Sequence, residues 1–245
     1  MLRTQNRRPL LEVHHISTGY EPDTPAISGI SLDIHEGEII SIFGRNGAGK
    51  STVLQAIVGM LPVRDGRILY NDREITNIHP GNAFKAGIAY VPEDVNLFPD
   101  MTVSENLEAV SFGHGRKMNF QERLDYIIRF FPVLETGLNQ KVHRLSAADQ
   151  RLLEIARALL WKPRLLLIDE PALNLSADIR GNVLQTIQRL NADLGITVLM
   201  TEPHTHLRIS ICQRAYILKT GRLIYESPHD ELINNHSVMR ELIGS

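Results

Sequence analysis

Residues 44–51 read GRNGAGKS, and this stretch decides the fold. It fits the pattern G-x-x-x-x-G-K-[ST] through Gly44, Gly49, Lys50 and Ser51. An apolar run from Ile39 to Phe43 leads into it. The segment leading out, Lys50 to Met60, has helical spacing, which places Val53, Ile57 and Met60 on one face. In a strand–loop–helix unit of this kind the glycines let the backbone curl so that successive N–H groups point inward at phosphate oxygens. The helix N-terminus adds partial positive charge. The cradle runs through Gly44, Arg45, Asn46, Gly47, Ala48, Gly49, Lys50, Ser51 and Thr52. Within it Lys50 is expected to meet the β- and γ-phosphates, and the Ser51 hydroxyl to ligate Mg²⁺. A chance match in a chain of this length has a probability of about 2%, and the strand and helix flanks lower it further.

A phosphate loop needs a carboxylate that holds Mg²⁺ through water, carried at the C-terminal end of a neighbouring buried strand. LLLIDE (165–170) supplies four apolar residues and then Asp169 and Glu170. Asp169 fits the metal role, and Glu170 fits the catalytic base that polarises an attacking water.

The surrounding texture alternates. Short strand-like runs occupy 10–43, 66–70 and 87–91, and return at 164–169, 195–200, 214–219 and 222–226. Thr220 and Gly221 read as a two-residue turn between the last pair. A helix over roughly 177–193 lies between the first two of the later strands. The stretch 94–160 is mostly helical, with capping-box starts at TVSE (102–105) and SAAD (146–149), and with FQERLDYIIRFF (120–131) ending before Pro132. Strands alternating with helices predict an α/β protein with a mainly parallel sheet and a helical insertion.

Composition excludes other classes. Across 245 residues, 26 Lys and Arg against 28 Asp and Glu give a net charge of −2, so no basic excess marks a nucleic-acid binder. The single cysteine, Cys212, excludes a disulfide framework and a Cys-rich zinc site. No run of 18 apolar residues is present. The basic N-terminus MLRTQNRRPL lacks the apolar core of a secretory signal. The expectation is a soluble, cytoplasmic protein.

In their order, Tyr20, GRNGAGKST (44–52), AYVPE (89–93), LSAADQ (145–150) and LLLIDEP (165–171) resemble the ATP-binding subunit of ABC transporters over nearly the whole chain. YVPEDVNLFPDMTVSENL and RLLEIARALLWKPRLLLIDEP look most like the branch that energises import of branched-chain and related amino acids. The resemblance implies one α/β domain over 10–245, a P-loop NTPase fold. Its RecA-like core with an antiparallel β subdomain (10–93 and 161–228) is interrupted by a helical subdomain (94–160) and followed by a C-terminal helix (229–245). It implies ATP and Mg²⁺ as ligands, with Tyr20 stacked on adenine and Glu93 joining Ser51 and Asp169 at the metal. It also implies the partners. They are membrane-spanning permease subunits that meet the helical block, a second ATPase subunit in a head-to-tail dimer, and indirectly a solute-binding protein. Nucleic acid is not among them. The place implied is the cytoplasmic face of the inner membrane, as a peripheral subunit.

Three departures from the family pattern stand out. The signature that serves the partner's nucleotide keeps Ser146 and Gln150, but Ala147 and Ala148 replace two glycines. Each adds a methyl group where backbone approaches phosphate, and each disfavours positive φ. Pro203 occupies the place of the histidine that bonds the γ-phosphate, with His204 the adjacent candidate. The loop ALNLS (172–176) begins with alanine where the family has serine. These changes predict an asymmetric heterodimer, or in the alternative a catalytically weak, nucleotide-gated structural subunit.

Overall fold

The computed structural model describes residues 8–21, 23–110, 119–203 and 210–235. Two sheets organise it. The larger has six strands in the order β10 (Arg222–Pro228), β9 (Arg214–Lys219), β3 (Ile39–Gly44), β8 (Thr197–Pro203), β7 (Leu165–Ile168) and β6 (Ile88–Val91). β9 through β6 run parallel, and β10 closes the edge as an antiparallel hairpin with β9. Thr220 and Gly221, at φ 45° and 74°, form the predicted hairpin turn. The smaller sheet is antiparallel, in the order β2 (Ile27–Ile34), β1 (Leu11–Thr18), β4 (Asp65–Tyr70) and β5 (Arg73–Glu74). β3 and β7 are buried along their whole length, as parallel strands covered on both faces must be.

The central strands separate two apolar cores. One face of β3, through Ile40 and Ile42, packs with Val53, Leu54 and Ile57 of α1 (Lys50–Ile57) and with the smaller sheet. The other, through Ile39 and Phe43, packs with the helices between β6 and β7 and with α7 (Ala177–Leu194). Those intervening helices are α3 (Val103–Ala109), α4 (Phe120–Ile128), α5 (Pro132–Glu135) and α6 (Ala147–Leu159). Two shorter ones are α2 (Pro80–Lys85) and α8 (His229–Asn234).

Several local expectations shift. α1 ends at Ile57, because Gly59 takes a left-handed φ of 75°, and Met60 is exposed instead of sharing the buried face. The helix from Phe120 stops at Ile128, and Pro132 opens α5. Thr102 and Glu105 make a full capping box. At α6 only one arm of the predicted box matches: Ser146 Oγ accepts the Asp149 N–H at 3.2 Å, while the Asp149 carboxylate takes the Ser146 hydroxyl at 2.7 Å. Aspartate is one methylene shorter than the glutamate that reaches back to the N-cap amide in a full box. α8 ends at Asn234, and residues 236–245 of the expected C-terminal helix lie outside the described residues. No helix among the described residues is long and apolar enough to cross a membrane.

Among the buried carboxyls, one lies in the sheet interior with no cation among the described residues within hydrogen-bond reach. Glu202 in β8 is 1% exposed. Its Oε1 accepts the hydroxyls of Ser41 (2.8 Å) and Ser210, while Oε2 is buried without a hydrogen-bond partner. Burial pushes its pKa up to about 7, against the pull of the two serines and Arg180 and reinforced by the charge of Glu170. An unfolded glutamate titrates near ~4.3. Between these values the folded chain holds the proton that the unfolded chain releases. This group's contribution to stability therefore falls as pH rises through that window. Glu202→Gln keeps an acceptor for both serines and removes the titration. It should stabilise the protein at pH 8 relative to pH 5 by on the order of 1–3 kcal/mol. Thermal melts of both chains at the two pH values measure this, and an equal effect at both would contradict it.

Candidate functional site

The ends of β3, β8 and β7 meet at one edge of the larger sheet, and the site is built there. Where β3 ends at Gly44, the chain turns through Arg45, Asn46 and Gly47, all exposed, to buried Ala48 and into α1 at Gly49. The loop is pinned from below. The Ala48 carbonyl accepts the Gly221 N–H at 3.0 Å. A Cβ on Gly44 would lie 2.5 Å from the Leu218 carbonyl oxygen. Gly49 has φ 102°, and a Cβ there would lie 2.6 Å from Ile27. Glycine is therefore required at Gly44 by packing and at Gly49 by both packing and backbone conformation. What results is the tight cradle of N–H groups at a helix start that an anion needs.

Lys50 follows at once and is buried. Its ammonium donates to the carbonyls of Gly44 (3.2 Å) and Arg45 (3.3 Å) and pairs with the Glu170 carboxylate at 2.9 Å. Both side chains are about nineteen-twentieths buried, at 4% and 5% exposure. Buried charges survive only when paired and hydrogen-bonded. Glu170 Oε2, however, is buried with no partner. The residue itself takes φ 45°, an uncommon conformation for a non-glycine residue. Its N–H is held by Thr201 Oγ1 at 2.9 Å, and the same hydroxyl donates to Asp169 Oδ1. Asp169 Oδ2 accepts the Tyr90 hydroxyl at 3.4 Å. Burial and the Asp169 charge push the Tyr90 pKa up, which keeps it a donor.

Glu93, exposed just beyond β6, completes a set of three carboxylates. Desolvation, then the charges of Glu170, Asp169 and Asp94, raise its pKa, with Lys50 opposing. Like charges brought together in this way favour either a proton or a cation. Among the described residues no three such side chains form a ready metal cage. Mg²⁺ keeps several waters and binds through one or two carboxylates together with substrate phosphates, and the oxygen donors of Asp169, Glu93 and Ser51 are of the hard type it takes. Ser51 and Thr52 lie in the first turn of α1, Ser51 half-buried and Thr52 buried.

Tyr20 is 65% exposed, and its hydroxyl donates to Gln55 of α1 at 2.9 Å. The bond tethers this exposed side chain beside the loop's helix. Gln55, Tyr90 and Thr201 are polar neighbours of the site that the sequence reading missed. Tyr90 lies within the quoted AYVPE (89–93), but nothing in the sequence singles out its hydroxyl, and Gln55 and Thr201 act only through where the fold puts them. Arg151 was also missed. Its guanidinium donates to the carbonyls of Pro92, Asp169, Glu170 and Pro171.

The signature segment stands elsewhere. Ser146 caps α6 in the helical block, exposed, and Gln150 donates to the Val142 and Leu145 carbonyls. Ala147 and Ala148 are the first residues of α6, and neither has positive φ. The backbone here is right-handed helix, so the expected penalty on φ does not exist. Only the added methyl groups distinguish these positions from glycine. Pro203 pairs with Gly44 in the β3–β8 register, so it does stand at the mouth of the loop. His204 lies outside the described residues.

Comparisons with known proteins show the family. The family model described as ABC transporter matches residues 27–173. The high-affinity branched-chain amino acid transport ATP-binding protein BraG of Pseudomonas aeruginosa is 32% identical, over 96% of this chain and 100% of its own. The probable branched-chain amino acid transport ATP-binding protein LivF of Archaeoglobus fulgidus is 30% identical, over 96% and 99%. The lipopolysaccharide export system protein LptB of Haemophilus influenzae is also 30% identical, over 96% and 97%. Among solved structures, the ADP conformation of MJ1267, an ABC transporter ATP-binding cassette, superposes with a TM-score of 0.85 at 25% identity, covering 98% of this chain and 100% of that one. The dimeric post-hydrolysis state of the cassette MJ0796, bound to ADP and Pi, gives 0.77 at 26% identity, covering 89% and 98%. The chain belongs to the ABC transporter family, as one of its ATP-binding and ATP-hydrolysing subunits.

Proposed function

We propose that this chain powers solute import, of branched-chain or related amino acids, from the cytoplasmic face of the inner membrane. One observation carries the chemical part: the buried Lys50–Glu170 pair directly under the phosphate loop. When ATP enters, its β- and γ-phosphates offer Lys50 more charge than one carboxylate does. Lys50 turns to them, and Glu170 is released as a base beside the γ-phosphate. Ser51, Asp169 and Glu93 would hold Mg²⁺, which would supply positive charge against the transferring phosphate. Glu170 orients and polarises the attacking water. Tyr20 stacks on adenine.

In this reading one domain spans 10–245. Its core is 10–93 with 161–228, a helical subdomain at 94–160 meets the permease subunits, and the C-terminal segment is 229–245. Val95 and Phe98, exposed apolar side chains at the start of that helical block, support this contact. Two ATPase subunits meet head to tail, so Ser146, Ala147, Ala148 and Gln150 serve the partner's nucleotide. A solute-binding protein delivers the cargo on the far side. The names of BraG and LivF support the cargo, import rests on the resemblance of the sequence motifs, and the export role in the name of LptB supports the opposite direction. The methyl groups at 147 and 148 and the proline at 203 support an asymmetric pairing with a different ATPase subunit. They also favour a second reading, a nucleotide-gated subunit with little turnover of its own.

Glu170→Gln separates the two readings. In the assembled complex it should lower ATP turnover by about 10²-fold or more while nucleotide still binds. Unchanged turnover would favour the gated scaffold. A second measurement concerns the signature. Purified as a homodimer, the chain should hydrolyse ATP slowly, and Ala147→Gly with Ala148→Gly should raise the rate severalfold. The gain should come with a loss of up to about 1 kcal/mol of helix stability per glycine. Equal rates with and without the glycines would contradict the proposed role of the methyl groups.

A further inference from the structure

α6 is buried on more sides than an amphipathic helix requires. Beside Leu152, Leu153, Ile155 and Ala156 it buries two opposite charges, Arg151 and Glu154. They stand three residues apart and pair at 3.0 Å, with side chains 7% and 4% exposed. The remaining bonds of the pair run to backbone in two other segments. The Arg151 guanidinium reaches the carbonyls of Asp169, Glu170 (3.2 Å) and Pro171 (3.4 Å) after β7, and of Pro92 (2.5 Å) after β6. Glu154 Oε1 accepts the Asn96 N–H at 2.6 Å. One turn on, Arg157 donates to the Asn96 carbonyl. The helix thus holds residue 96 by both its amide and its carbonyl, and holds the backbone on both sides of Glu93 and around Glu170.

A buried ion pair is a poor device for stability alone, since well-packed apolar residues of similar volume often serve as well or better. A planar fork with several donors suits the task of fixing several carbonyls at once. Ser146, at the start of the same helix, is five residues from Arg151, about 7.5 Å along the axis.

We infer that Arg151 and Glu154 are a positioning pair that makes α6 move together with the segments bearing Glu93, Asp169 and Glu170. Nucleotide in this chain's own site then sets where it presents Ser146 to its partner. This rests on the proposed ATPase dimer, and it assigns the link between the two half-sites to named side chains.

The test is amide hydrogen exchange on the full chain, with and without Mg²⁺ and a non-hydrolysable ATP analogue at a concentration that saturates each variant. In the unaltered chain the analogue should slow exchange at 44–52 and also in α6 at 147–153, by about fivefold or more. In Arg151→Met/Glu154→Leu, which fills the same space with apolar groups, the slowing at 44–52 should persist while that in α6 falls below about twofold. Loss of the α6 response with the loop response kept supports the link. An α6 response that survives in the double variant overturns it. If the double variant fails to fold, Arg151→Lys takes its place. Lysine keeps the charge but places its donors on one nitrogen, which cannot span four carbonyls, so the α6 response should again be lost. Its survival there overturns the link as well. An unaltered chain that shows no slowing at 44–52 would overturn the ATPase reading itself, a result distinct from failure of the link.

Discussion

Lys50 and Glu170 meet at 2.9 Å beneath the phosphate loop, and most of the molecule is arranged to make that meeting occur. Lys50 is delivered by β3 and the loop, Glu170 by β7, and the hydroxyl of Thr201 on β8 steadies both Asp169 and the Glu170 amide. Three parallel strands must end at one edge, in register, for these groups to converge. Their burial removes water from both charges, which costs several kcal/mol per ion unless each finds a partner. The pair satisfies that demand and also poises the site. In the proposed mechanism the lysine turns to the arriving phosphate and the carboxylate is freed to act as the base.

The second requirement is that the helical block stay mechanically continuous with this edge. Apolar packing supplies part of it, since α6 shares one core with Phe43, Ile168 and Met200. Apolar contact is non-directional and fixes distance better than orientation. The hydrogen bonds from Arg151 and Glu154 to backbone supply direction, and they fall on the segments that flank Glu93 and Glu170.

Much of the fold and of the site was legible in the sequence because its signals are local. The glycine loop, the apolar run before Asp169 and Glu170, and the Thr102 capping box each depend on a few neighbouring residues, and the structure places them as read. What could not be read depends on contacts distant in sequence. Met60 fits the helical spacing, but Gly59 ends α1 before it. Glu202 follows the apolar run 195–200, and only its neighbours in the folded chain show it buried against Ser41 and Ser210. Arg151 and Glu154 look like solvated positions of an amphipathic helix until β6 and β7 are packed against it. The departure at Ala147 and Ala148 was visible at once. Half of its expected consequence was wrong, because conformation at a helix start is right-handed and alanine adopts it freely.

In the proposed function the loop at 44–52 binds MgATP through Lys50. Equilibrium binding of labelled ATP to the full chain and to Lys50→Ala, with and without Mg²⁺, tests it most directly. One nucleotide should bind per chain, with the affinity lowered by about 10²-fold or more in the variant, as expected when a buried charge-assisted contact is lost. Equal affinity in the two chains would contradict it.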